Sequence, residues 1–300
     1  MATLTSEFVN STSLTNFKPA SISISSSSSG RPTRISFPLT RVKALAQTSA
    51  SLDTARHTVD TYIKSGMVIG LGCGQASGMA IQYLGGQLRA GVLKDIIGIP
   101  MSIESANAAA KAGIPLDQYK DGSQIDFAFH DADVVEEETL LAVVGRQKLL
   151  GVESIIQEKS ILNTANKLVF MITDKEYKSN LDGSIPVLVH SFNWMESAEK
   201  IDDLFIGDAE VWRRSSMGQA SPTGGDFPLM TKEGYNVLDI IFTSPITRLA
   251  EVAEILDKID GVVDHGIVSK FPCTTVIASD DGIRIVNIPP TVAEAEGAVL

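Results

Sequence analysis

The chain has 300 residues, of which 44% are hydrophobic, 20% charged and 6% aromatic, and a net charge of −11. That length suits one large domain or two modest ones with a core that needs no covalent staples, and two cysteines exclude a disulfide scaffold and a cysteine-built zinc site. No apolar run reaches the roughly 20 residues of a membrane-spanning helix, and His57, His130, His190 and His265 show no metal-ligand spacing, so neither a membrane partner nor a metal is expected.

The charge is unevenly spread. Residues 1–50 hold Lys18, Arg31, Arg34, Arg41 and Lys43 against Glu7 alone, a balance of +4 that leaves −15 on residues 51–300. A body so acidic repels phosphate backbones over its surface, which argues against nucleic acid as a partner. It leaves room for a small anion held by local amides. The first segment is rich in Ser and Thr, with Ser25 to Ser29 in a row, and has no helical or strand periodicity. It cannot bury enough apolar surface to order itself. Hydroxyls, arginines and scarce acids are the composition of an organelle transit peptide. Residues 1–48 are therefore expected to be disordered, to be cleaved near Val42-Lys43-Ala44-Leu45, and to direct the chain to the plastid stroma of a chloroplast. An ordinary disordered tail would have the same composition.

Downstream, Val59, Tyr62 and Ile63 give the stripe of a helix over residues 55–63, ended by Ser65-Gly66. Met67 to Leu71 is a short apolar run suited to a buried parallel strand. Gly72 to Ser77 reads as a tight turn and Gly78 to Leu88 as a helix. Asp95 to Pro100 is a second strand, followed by an alanine-rich helix over Ile103 to Ala112. Asp126 to His130 and Leu168 to Ile172 are the third and fourth strands. Between them one helix is expected to start near Glu136 to Glu138, and another carries Ile155 to Leu162. Strands and helices alternating at this spacing predict an α/β fold with a doubly wound, mostly parallel sheet.

The pattern changes after Pro186. Pro186 to His190, Ala209 to Arg214 and Asn236 to Phe242 read as strands, and Gly261 to Val263 follows an amphipathic helix over Thr247 to Ile259. This predicts a smaller α+β insert domain. The core is expected over residues 49–185 and 240–290, the insert over 186–239 with an outer limit near 265, and a tail over 291–300.

Ligands of open parallel sheets bind outside the carboxyl ends of the strands, so the strand exits and the helix beyond them hold the candidate residues. At the first exit, glycines in a strand-to-helix turn let backbone N–H groups converge where the helix dipole favours an anion. Gly72, Cys73, Gly74, Gln75, Ala76 and Ser77 are that candidate cradle; a plain tight connection is the other reading. The glycine spacing is not the dinucleotide fingerprint, and no Gly-Lys-Ser/Thr follows. At the third strand's exit, His130-Asp131-Ala132-Asp133 places a histidine and two acids after an apolar run, either to meet substrate or to cap the next helix. Farther on, Glu158 lies three residues from Ile155 and four from Leu162, on the side of two apolar anchors. A half-buried carboxylate there tends to a raised pKa and suits a general base; at the edge of the stripe it would reach water instead.

Together these segments resemble the A-type ribose-5-phosphate isomerase family over most of residues 52–287. Gly70-Leu71-Gly72-Cys73-Gly74-Gln75-Ala76 is similar to the family's Gly-x-Gly-Thr-Gly-Ser-Thr, and Pro100-Met101-Ser102 to its Pro-Thr-Ser. His130-Asp131-Ala132-Asp133-Val134 resembles Asp-Gly-Ala-Asp-Glu, and Gln157-Glu158-Lys159 resembles Arg-Glu-Lys. Gly261-Val262-Val263-Asp264-His265-Gly266 is nearly the family's Gly-Val-Val-Glu-His-Gly.

The resemblance implies an aldose–ketose isomerase that moves a proton between C2 and C1 of ribose 5-phosphate through an enediolate. It implies a sugar phosphate as partner, no metal or organic cofactor, and a homodimer. Glu158 falls on the general base, Asp133 on the second aspartate and His130 on the first, with Asp131 as a substitute for the latter; Ser102 falls among the substrate contacts. One family lysine falls on Val144, so Arg146 or Lys148 has to supply the positive charge, and a second falls on Tyr177, beside Lys178. Cys73, Gln75 and Ala76 stand where the family has hydroxyls, leaving Ser77. Losing one oriented donor costs about 2.7 to 4 kcal/mol in a transition state. The alternative reading is accordingly a catalytically impaired relative that binds a sugar phosphate and regulates an isomerase.

Overall fold

A computed structural model describes residues 39–146, 154–216, 222–223, 227–270, 273–279 and 281–287, with the side chains of 39–47 excepted. Most of the expected transit segment and the 291–300 tail lie outside the described residues. In chain order the elements are α1 (Leu39–Tyr62), β1 (Val68–Leu71), α2 (Gln75–Arg89), β2 (Ile97–Pro100), α3 (Ile103–Ala112), β3 (Phe127–Asp131), β4 (Val134–Glu136), β5 (Ala142–Val143) and α4 (Ile155–Thr164). They continue with β6 (Leu168–Thr173), β7 (Tyr177–Lys178), β8 (Leu181–His190), α5 (Trp194–Leu204), β9 (Ala209–Arg213), β10 (Tyr235–Ile246), α6 (Leu249–Leu256), β11 (Val262–His265), β12 (Ile267–Val268), β13 (Cys273–Ser279) and β14 (Gly282–Asn287). Helix α1 begins at Leu39, ahead of the expected start at residue 55 and through the expected cleavage region.

The short apolar runs pair into a six-stranded sheet of order β14-β13-β6-β3-β1-β2. Every pairing is parallel except that of β13 with β14. Both faces of β1, β3, β6 and β13 are covered, which is why these strands are apolar without alternation, whereas the edge strand β14 is exposed. Phe127 and Phe129 pack with Val59 of α1 and Ile81 and Leu84 of α2 on one face. Ala128 and Phe170 pack with Ile161 and Leu162 of α4 on the other. This is the doubly wound sheet expected from the sequence. Strand β1 is flanked by β2 on one side and β3 on the other, so the chain reverses its winding direction there. Crevices for ligands open at such a switch point, outside the strands' carboxyl ends.

The loop leaving β1 is drawn tight against β3. A Cβ on Gly72 would lie 2.2 Å from the Phe129 carbonyl oxygen and 2.7 Å from His130 Cα. Both are main-chain atoms, so no side-chain rotation relieves the overlap. Gly72→Ala is expected to cost about 1–3 kcal/mol or more, read as a lower urea midpoint; an unchanged midpoint would contradict this contact. Helix α2 then starts at Gln75 rather than Gly78, with Gly74 at φ +111° as its N-cap. Gln75, Ala76 and Ser77 form its first turn.

A second sheet, β11-β8-β10-β9, is antiparallel throughout and, with α5 and α6, encloses a core that includes Val187, Ile201, Leu238 and Leu249. This is the smaller α+β layer. It runs from Leu181 to His265, so residues 240–265 belong to it and the main sheet resumes only at Cys273. A third sheet, β12-β5-β4-β7, joins short strands far apart in sequence.

The helix expected near Glu136 is absent; Val134–Glu136 is β4 instead. Glu136 is buried, and its Oε1 accepts the Leu249 N–H at 3.1 Å. The acid that looked like a helix-start signal for its own segment serves the N-terminus of α6, where the helix dipole favours it.

Candidate active site

Two strand exits and the first turn of α4 converge at the switch point. Helix α4 is started by Ser154, whose hydroxyl accepts the Gln157 N–H at 3.1 Å. With Ile155, Ile161 and Leu162 buried against the sheet, Glu158 on the same side is carried inward and is only 6% exposed. The stripe reading therefore holds for burial: the carboxylate does not reach water at the edge.

What it meets is His130. The ring's Nε2 lies 2.6 Å from Glu158 Oε1, a charge contact in which the N–H does not line up with the oxygen. Nδ1 donates to the Asp131 carbonyl at 2.5 Å. His130 is 4% exposed. Burial alone would lower its pKa, but the Glu158 charge beside it, together with contacts to the Cys73 thiol and to Glu158, outweighs burial and raises it well above the usual imidazole value. The Glu158 charge thus favours the protonated form of the buried ring. A group whose pKa is higher when folded contributes stability that is fully present below its unfolded value of about 6.5 and is lost as pH rises through the folded value. Urea unfolding is expected to weaken over that rise in the wild type, and a His130→Asn variant to lack that component. His130-dependent stability that grows with pH would contradict the assignment.

Asp131 turns away from Glu158. Its Oδ2 accepts the Ala76 N–H at 2.8 Å, and its Oδ1 accepts the Ser77 N–H at 2.8 Å and the Ser77 hydroxyl at 2.7 Å. Burial pushes its carboxyl up, while the Ser77 hydroxyl, the His130 charge and the two amides pull it back, leaving it somewhat raised. Asp131, the sequence's substitute for the first aspartate of the family motif, is thus seated on the first turn of α2. Asp133 accepts the Arg146 backbone N–H at 2.8 Å; burial raises its pKa against the pull of that bond and of the Arg146 charge.

Of the cations expected beside the base, Arg146 and Lys178 are described and each is bonded to another partner. Arg146 donates through Nε to the Ser184 carbonyl of β8, in the antiparallel sheet, at 2.5 Å. Lys178 pairs with Asp182 at 2.6 Å on the surface, and Lys148 lies outside the described residues. Ser102 is spent on the N-cap of α3, exchanging bonds with Ser105 at 3.0 Å each way. Gln75 is exposed, and Cys73 is half-buried beside His130. The sequence reading missed His130 as the charge next to Glu158; the signal was a histidine where the family pattern has an acid. It also missed Lys159, buried and paired with Asp264 at 2.5 Å, which ties α4 to β11.

The chain is thus an α/β protein with a doubly wound sheet, an antiparallel side layer and a buried carboxylate–imidazole pair at the switch point, where ligands of such sheets bind. The family model described as ribose 5-phosphate isomerase A (phosphoriboisomerase A) matches residues 97–282. "Probable ribose-5-phosphate isomerase 3, chloroplastic" of Arabidopsis thaliana is 31% identical over 286 residues, which is 93% of this chain and 98% of that protein. The ribose-5-phosphate isomerase A of Gluconobacter oxydans is 34% identical over 77% of this chain and 94% of its own. The solved ribose 5-phosphate isomerase A of Methanocaldococcus jannaschii superposes with a TM-score of 0.67 at 27% identity, covering 80% of this chain and 99% of that one. The chain belongs to the ribose 5-phosphate isomerase A family.

Proposed function

We propose that this protein is an aldose–ketose isomerase that interconverts ribose 5-phosphate and ribulose 5-phosphate, with Glu158 as the proton-transfer group. The observation that supports this above all is the buried Glu158–His130 pair beside Cys73 of the glycine turn. In the open-chain aldose, Glu158 takes the proton from C2, the C2–H electrons form a C1=C2 double bond, and the aldehyde oxygen becomes the enediolate. Glu158 returns its proton to C1, the proton on O2 passes to the O1 oxyanion, and the electrons of the O2–H bond form the C2=O2 carbonyl of the ketose. Each step is a proton transfer, so the equation balances without an oxidant.

His130 supplies the positive charge near the developing enediolate. A fixed charge in a site closed to water acts more strongly than the same charge in solvent and needs no reorganisation during the reaction. Its Nδ1 is taken by the Asp131 carbonyl, so it acts by charge beside Glu158. A homodimer is inferred from family membership. A plastid location is supported by the composition of residues 1–48 and by the chloroplastic Arabidopsis relative. A coupled assay of the full chain, following ketose formation from ribose 5-phosphate, is expected to give saturable turnover. Absence of turnover from folded protein would sink the proposal.

A further inference from the structure

The amide end of α2 already holds an anion. The Asp131 carboxylate takes the Ala76 and Ser77 N–H groups and the Ser77 hydroxyl, at 2.7 to 2.8 Å. It lies flush on the turn: a Cβ on Gly74 would meet Asp131 Oδ2 at 2.3 Å. The strand end is tied to the turn by its main chain as well, with the Asp131 N–H donating to the Cys73 carbonyl at 3.2 Å. A backbone N–H has one hydrogen to give. A phosphate arriving at this turn finds those three donors taken, and while Asp131 stays seated it also meets a like charge a few ångströms away.

We propose that Asp131 is a specificity-determining residue, an internal carboxylate that competes with the phosphate group of a sugar phosphate for the first turn of α2. This chain then binds its phosphorylated ligand more weakly than the same scaffold without that carboxylate. The identity of the sugar phosphate rests on the isomerase reading; the competition itself does not. If the seated form dominates, the apparent dissociation constant is the intrinsic one divided by the fraction of chains with the turn free. Three hydrogen bonds to a carboxylate, each stronger than a neutral one, keep that fraction below about one tenth.

The test titrates inorganic phosphate into the full chain by calorimetry, for the wild type, Asp131→Gly, Asp131→Asn and Asp121→Asn. Asp131→Gly is expected to bind phosphate about tenfold tighter or more. Asp131→Asn, which keeps the size but not the charge, is expected to fall between it and the wild type. Asp121 is exposed, and its substitution changes net charge equally, so it is expected to leave phosphate affinity unchanged. Equal or weaker binding in the folded Asp131 variants, or the same tightening in Asp121→Asn, overturns the proposal. Should Asp131→Gly fail to fold, the near-isosteric Asp131→Asn decides alone. Tighter phosphate binding without isomerisation in any variant would remove the isomerase reading and keep the competition. Turnover with unchanged phosphate affinity would do the reverse.

Discussion

Glu158→Gln is expected to lower kcat by about two to four orders of magnitude, the usual contribution of a positioned acid–base group, with a much smaller change in KM. Glutamine matches the shape and can still accept a contact from His130, but it cannot carry a proton between C2 and C1. Loss of rate by unfolding is separated from loss of chemistry by two measurements. Circular dichroism and urea unfolding should show a folded variant. In heavy water the wild type should transfer solvent deuterium to the substrate carbon through the exchangeable carboxyl, and the variant should not. Glu158→Asp keeps the charge but retracts it by one methylene, so it is expected to retain more of the rate than Gln does. A Gln variant with wild-type turnover would remove Glu158 from the mechanism and leave the fold assignment standing.

The second large effect concerns stability. Arg214 follows β9 and is buried against Asp239 of β10, donating through Nε to Asp239 Oδ2 at 2.8 Å and through Nη2 to Oδ1. Its Nη1 donates to the Gly145 carbonyl at 2.8 Å. Arg214→Met leaves a carboxylate buried without a partner and a carbonyl without its donor, and is expected to cost about 3–5 kcal/mol. The double replacement Arg214→Leu with Asp239→Leu removes both charges and should recover most of that loss. Urea denaturation at neutral pH reads both values. A single-variant loss below about 1 kcal/mol would show that the pair is not sealed from solvent.

Much of the main sheet was legible because its signals are local. Helix α3 runs from Ile103 to Ala112 as its sequence predicts, since Ser102 caps one end and Gly113, at φ +76°, closes the other. The apolar runs of β1, β3 and β6 lie buried on both faces and need no alternation to be recognised. What escaped depends on partners distant in the chain. Strands β5, β7 and β12 have two residues each, too short for a period, and exist only because β4 pairs with β5 and β7 and β5 with β12. Glu136 resembles a local helix start, yet its acceptor role is 113 residues away.

The site divides in the same manner. The inward turn of Glu158 follows from its spacing to Ile155 and Leu162. No spacing reveals that its neighbour is His130, or that Asp131 swings into the turn after β1. An aspartate in place of the motif's glycine reads in the sequence as a displaced catalytic acid; its three hydrogen bonds to α2 depend on a turn 54 and 55 residues away.

The segment Val144 to Arg146 has a mechanical consequence. Val144 donates to the Gly266 carbonyl, Gly145 accepts from Arg214, and Arg146 reaches both Asp133 and Ser184. Three successive residues are stitched to four others, including members of the antiparallel layer and the strand exit that precedes β4. That seam lacks the freedom of a hinge. A swinging motion of one layer against the other would have to break all of these links together.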